Sequence, residues 1–169
     1  MSNHNFPLPP FRIGHGYDVH RFGEGDSIIL GGVKIPYHHG FIAHSDGDVL
    51  IHSLCDALLG SIAAGDIGQH FPDTDNQYKD IDSKRLLLRV NQLLQREHFS
   101  LANADITIVA QTPKMSPYIQ SMREQLADVL GISISLINIK ATTTEKLGFA
   151  GREEGIAVHT VVMVYRNTP

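Results

Sequence analysis

Tryptophan is absent from the 169-residue chain, and cysteine occurs once, at position 55. A single thiol excludes an intramolecular disulfide framework and a cysteine-rich zinc knuckle, and it fits a reducing compartment. Basic excess is missing too: 14 Lys+Arg stand against 18 Asp+Glu, a formal charge of −4. This argues against nucleic acid as the main partner, because a phosphate backbone needs a basic face. No apolar run reaches the length of a membrane span, since Asp56 and scattered glycines break the longest one. The first ten residues have neither a basic region nor an apolar core, so they read as neither signal nor transit peptide. The expectation is a cytoplasmic protein without membrane contact. With 42% hydrophobic and 19% charged residues, the composition is that of one soluble domain that needs no disulfide or structural metal to fold. Histidine is the residue in excess, at ten; it binds metals and titrates near neutrality.

Pro7, Pro9 and Pro10 make residues 1–10 an extended arm; the globular pattern runs over 11–166, with 167–169 a tail. Phe11 to His20 reads as a strand. Ser27–Leu30 and Val33–Tyr37 flank Gly31-Gly32, the signature of a two-residue hairpin. Asp48 to Ala64 has a helical pattern closed by Gly65, followed by a polar loop to Asp82. Ser83 to Glu97 is an amphipathic helix with Leu86, Leu87, Val90, Leu93 and Leu94 on one face and Ser83 as its cap. Ala104 to Gln111 alternates as a strand. Ser116-Pro117 opens another helix that Gly131 ends. Leu136–Ala141 and Gly155–Tyr165 are strands, the second apolar on nearly both faces and so expected to be buried on both. This order predicts an α+β domain with helices packed on one face of a mixed sheet. Three helices cover one face only, and a neighbouring subunit is the simplest cover for the other.

Asp18 and His20 are two apart on a strand and point to the same side. His52 lies on the next helix, with Asp56 one turn later, placed to orient its imidazole. A carboxylate and two histidines leave one coordination position open, as catalytic zinc requires. The plainer alternative is a surface strand pair and an unrelated helix histidine. In His44-Ser45-Asp46-Gly47-Asp48, Ser45 and Asp46 can cap the helix, or the helix N-terminus can attract phosphate with His44 beside it. Thr142-Thr143-Thr144-Glu145 either cradles phosphate and offers Glu145 to magnesium, or forms a capping box. The turn Thr112 to Ser116, with Lys114, either contacts a ligand or only connects. Gly14-His15-Gly16 starts like a dinucleotide fingerprint, but Val19 occupies the third glycine position and no βαβ unit surrounds it. His38-His39 reads as solvated.

Taken together, GHGYDVH (14–20), AHSDGD (43–48), GDIG (65–68), FPDTD (71–75) and KATTTEKLGF (140–149) resemble the 2-C-methyl-D-erythritol 2,4-cyclodiphosphate synthase family of the non-mevalonate isoprenoid pathway. The resemblance covers about Phe11 to Arg166. It implies a homotrimer with sheets toward the threefold axis and active sites shared between subunits. The implied substrate is a cytidine-diphosphate ester of methylerythritol 2-phosphate, cyclised with release of CMP. By the same resemblance Asp18, His20 and His52 would hold Zn2+, and Glu145 a second ion, Mg2+ or Mn2+. His44 and Thr143 would stabilise the transition state. Asp18, His20, His44, Ser45, Thr142, Thr143, Thr144 and Glu145 would touch substrate. Asp66, Ile67 and Gly68, with Phe71, Pro72, Asp73, Thr74 and Asp75, would cover the methylerythritol phosphate. Ala110, Gln111, Thr112, Pro113, Lys114, Met115 and Ser116 would form the cytidine pocket, and Phe149 and Arg152 would complete the set. Two positions depart from the family: Ala150, where threonine is common, and Glu153, where glycine is usual. They bear on an isoprenoid diphosphate that the family binds on the trimer axis. The rivals are a zinc-dependent phosphodiester hydrolase and a non-catalytic trimer that binds such a diphosphate.

Overall fold

The computed structural model describes residues 10–43, 45–72 and 81–167. The arm at 1–9 and His44, Asp73, Thr74 and Asp75 lie outside the described residues. Among the described residues, seven strands and five α-helices follow in the order β1 (Phe11–Gly23), β2 (Ser27–Leu30), β3 (Val33–Pro36), β4 (Gly40–Phe41), α1 (Val49–Ser61), α2 (Ile67–His70), α3 (Ser83–Arg96), β5 (Phe99–Val109), α4 (Ile119–Leu130), β6 (Ile137–Thr142), α5 (Gly148–Gly151) and β7 (Gly155–Arg166), with a 3-10 turn at Ile134–Leu136 before β6. The main sheet runs β4-β1-β7-β5-β6, and β2-β3 form a separate hairpin. Gly31 and Gly32 both have positive φ, as its two-residue turn demands. In the main sheet β5 and β6 pair in parallel, while the other pairs are antiparallel. The expected α+β layout holds.

Helices α1, α3 and α4 pack on one face. Helix α1 is buried along almost its whole length, from Val49 to Ser61. It crosses β1 and β7 where Gly14 and Gly16 present no side chain. Helix α3 is amphipathic as expected and buries Leu86, Leu87, Val90 and Leu94. The opposite sheet face carries Phe11, Ile13, Tyr17 and Val19 from β1 and Val161, Met163 and Tyr165 from β7, all exposed. His15 and His159 sit among them, with ring nitrogens 3.3 Å apart. Strand β7 is therefore buried on both faces only over Gly155–Val158; beyond that its outward residues are exposed in the single chain. The single chain by itself covers one side of the strand beyond Val158.

Several helix ends also differ from the sequence reading. Asp48, not Ser45 or Asp46, caps α1, accepting from Ile51 N–H at 3.0 Å. The helix ends at Ser61, four residues before Gly65. Asp82 caps α3, which frees Ser83 for another contact. Helix α4 begins at Ile119, three residues after Ser116, and Gly131 ends it with φ 65°. The polar loop contains the short helix α2, capped by Asp66. His39 is not simply solvated: it is half-buried and stacks on Phe22 at 5.8 Å.

Candidate active site

Strand alternation turns Asp18 and His20 toward the helix face of the sheet, and α1 brings His52 down onto them. His20 Nε2 is 3.1 Å from Asp18 Oδ2, His52 Nδ1 is 3.2 Å from that oxygen, and the two nitrogens are 3.4 Å apart. A tetrahedral ion with bonds of about 2.0–2.1 Å separates its ligands by roughly 3.3–3.4 Å. The triangle therefore fits one face of such an ion and leaves the fourth position open.

The imidazoles are held from behind. His20 Nδ1 donates to the Gly47 carbonyl at 2.9 Å, which leaves Nε2 bare and facing Asp18. His52 Nε2 lies 3.0 Å from Ser83 Oγ and 3.3 Å from Ser45 Oγ. Asp56 does not orient His52; it accepts from Ile67 N–H at 2.8 Å and anchors the Asp66–Gly68 segment instead. Without an ion, burial favours neutral forms, but the histidines outweigh it at Asp18 and hold that carboxyl well below its usual range. Burial also works against charge on His52; the Asp18 carboxylate overrides it and raises that imidazole.

A second cluster forms where β5 and β6 end. Parallel pairing puts both carboxyl ends side by side, and Ala110 N–H donates to Thr142 O at 3.0 Å. Gln111 Oε1 accepts from Lys146 N–H at 3.2 Å. Thr112 shares a hydrogen bond of 2.7 Å with Tyr37, and its peptide bond to Pro113 is cis. Ala110 and Met115 are buried, while Lys114 and Ser116 are exposed. No helix begins at Thr142, so the capping-box alternative is overturned. Thr143 Oγ1 donates to Glu145 Oε1 at 2.9 Å, and Glu145 and Lys146 both have positive φ. Two consecutive non-glycine residues in that region hold local strain, and Glu145 is exposed. Across the sheet, Val19 pairs with Ala157, Ala157 with Val109, and Val109 with Thr142. The metal triangle and the Thr142–Glu145 turn thus stand at the same end of the sheet.

A family model described as the YgbB family matches residues 11–165. The chain belongs to the YgbB family. Curated relatives named 2-C-methyl-D-erythritol 2,4-cyclodiphosphate synthase are 62% identical in Ectopseudomonas mendocina, over 92% of this chain and 99% of the relative. The same name, identity and coverages hold for a relative in Francisella tularensis subsp. novicida. Among solved structures, the bifunctional IspDF of Campylobacter jejuni aligns with TM-score 0.89 and 46% identity, over 92% of this chain and 42% of that longer one. IspF of Plasmodium falciparum, in a CDP complex, aligns with TM-score 0.82 and 33% identity, over 94% and 97%.

In this YgbB member the remaining expected site residues are dispersed. Phe71 is half-buried and Pro72 exposed beyond α2, and Phe149 is exposed on α5. Arg152 is gripped by Glu154 through Nε at 2.9 Å and Nη2 at 3.2 Å. Glu153 has φ 59°, which explains physically why glycine suits that position. Sequence reasoning missed Gly47 as the partner of His20 and Ser83 as the partner of His52. The only signal for Ser83 was its place after Asp82, where both residues look like caps.

Proposed function

We propose that the chain converts 4-diphosphocytidyl-2-C-methyl-D-erythritol 2-phosphate to 2-C-methyl-D-erythritol 2,4-cyclodiphosphate and CMP, as a phosphorus–oxygen lyase of isoprenoid precursor synthesis. The observation that carries this reading is the Asp18–His20–His52 triangle with its open side, at the same sheet end as the Thr142–Glu145 turn. The triangle would hold Zn2+, and Glu145 would hold Mg2+ or Mn2+ as one carboxylate ligand. The chemistry these ions supply when bound is polarisation of the β-phosphate and neutralisation of charge on the departing CMP.

The chain's own residues do the aligning. The substrate's 2-phosphate is already anionic near neutral pH, so no base has to create the nucleophile. Thr143 offers its hydroxyl and the 142–144 backbone its amides to phosphate oxygens. Ser45 contacts substrate, and His44 with Thr143 stabilises the transition state. Ala110, Gln111, Thr112, Pro113, Lys114, Met115 and Ser116 receive the cytidine, with Lys114 as a local cation on a net-negative chain. Asp66, Ile67 and Gly68, with Phe71 to Asp75, cover the methylerythritol phosphate and exclude water. Rate then comes from in-line placement and charge stabilisation.

Sheet geometry supports a shared site. From β1 to β6 is three strand spacings, about 14 Å laterally at ~4.8 Å each. One diphosphate does not span that gap to touch both metal positions of a single chain. A homotrimer with sheets inward brings the triangle of one subunit to the Thr142–Glu145 turn of the next, and it covers the apolar sheet face. The proposal includes a cytoplasmic location, where the buried Cys55 stays a free thiol.

The deciding experiment is turnover in heavy-oxygen water. Cyclisation gives cyclic product and CMP without solvent label. Label in either product, or a linear diphosphate as main product, moves the assignment to a hydrolase, because only hydrolysis uses water as nucleophile.

A further inference from the structure

The His52 imidazole is buried, so its ring nitrogens find their partners inside the protein. Nδ1 faces Asp18 Oδ2 at 3.2 Å, and Nε2 faces Ser83 Oγ at 3.0 Å. Ser83 is itself fully buried, and its hydroxyl donates to Asp46 Oδ1 at 2.5 Å. Asp46 is fixed in turn: its carboxylate accepts from Ser83 N–H at 3.0 Å and Asp48 N–H at 3.3 Å. A serine hydroxyl has one proton. Since Asp46 takes it, Ser83 offers His52 only lone pairs. The hydrogen bond therefore requires the proton of neutral His52 to be on Nε2.

The Asp18 carboxylate pulls the other way. Without an ion it is best served by a proton on Nδ1, the nitrogen that must be bare to bind metal. Two acceptors thus compete for one imidazole proton. We infer that Ser83, oriented by Asp46, is a positioning residue that settles this competition: it keeps the His52 proton on Nε2 and so keeps Nδ1 open toward Asp18 and His20. The inference rests on the metal reading of the triangle and goes beyond it. It names two residues from the α1 entry and the start of α3 that control how tightly the centre holds its ion. Ser45 Oγ is the more distant neighbour of Nε2, at 3.3 Å against 3.0 Å for Ser83.

The test uses the full chain, with zinc alone as probe. Imidazole nitrogen NMR of the metal-free protein at alkaline pH reads the tautomer, and competition with a chromophoric chelator reads zinc affinity. Wild type shows His52 protonated on Nε2. Ser83→Ala moves the proton to Nδ1 and weakens zinc by about 10–100-fold, the range for losing a partner of a metal-bound histidine. Ser83→Thr keeps the hydroxyl and restores both readouts toward wild type. A Ser83→Ala protein with zinc affinity within about twofold of wild type overturns the inference, as does weaker binding with the proton still on Nε2. His52→Ala is the separate control: if it still holds zinc as tightly as wild type, the metal reading itself falls.

Discussion

Gly16 lies so close beneath α1 that a side-chain carbon on it would sit 1.9 Å from the Ser53 carbonyl oxygen. Gly14 has the same relation to Ala57, one helical turn on, at 1.8 Å. The helix can reach its metal-binding depth only because the strand has no side chains there. Gly16→Ala should push α1 outward, cost about 1–3 kcal/mol as overpacking, and pull His52 away from Asp18. Thermal melts and zinc titration of the variant should show both losses together. A lowered melting temperature with undiminished zinc affinity would show that helix depth does not set the metal geometry.

At the proposed metal triangle protons and zinc would compete, with a definite sign. In the metal-free protein the Asp18 carboxylate raises His52 above the ordinary imidazole value of 6.5, so their stabilising pair is complete below that pH and fades as pH rises through the raised value. Asp18 is lowered from 3.8, so its contribution is present above 3.8 and fades as pH falls below it. The pair therefore stabilises the metal-free chain most between those two values. Zinc needs the histidines neutral, so the melting-temperature gap between zinc-loaded and metal-free protein should widen as pH rises from about 6 to 8. A gap that stays constant over that range contradicts the ligand assignment.

The Glu145 carboxylate accepts from the Thr143 hydroxyl. Glu145→Gln keeps the shape and removes the charge. Melting temperature and zinc content should stay near wild type while turnover falls about 100-fold, with partial recovery at high magnesium or manganese. Wild-type turnover in this variant would remove the second ion from the mechanism.

The apolar sheet face gives a prediction about assembly. Val161→Asp sets a carboxylate at a position 45% exposed in the single chain, flanked on β7 by His159 and Met163. Sedimentation should show wild type as a trimer at micromolar concentration and the variant shifted to smaller species. Turnover should fall with it, since the proposed site draws on two subunits. A monomeric wild type, active as such, would refute the shared site.

What the sequence shows depends on how local each cause is. Asp18 and His20 were legible because alternation along one strand decides their side. His52 was a candidate only, since its position depends on α1 settling against glycines more than thirty residues earlier. The Gly14-His15-Gly16 motif departs from a dinucleotide fingerprint at Val19, and its packing role appears only with the helix in place. Ser83 looked like a helix cap because capping is a local rule; its partners His52 and Asp46 are distant in sequence. The strained backbone at Glu145 and Lys146 rests on two positive φ angles that no residue type there announces. The family resemblance pointed to Asp18, His20, His52 and Glu145 as ligands, but to neither Ser83 nor the packing of Gly14 and Gly16.

Strand β1 divides its residues between two tasks by parity. Gly14, Gly16, Asp18 and His20 face the helices, while Ile13, His15, Tyr17 and Val19 face away. A slip of one residue would put Tyr17 and Val19 into the triangle and the Asp18 carboxylate onto the apolar face. Metal capture and burial of the sheet thus act as two independent proofreaders of one alignment. A one-residue insertion or deletion between Ile13 and His20 would fail both tests at once.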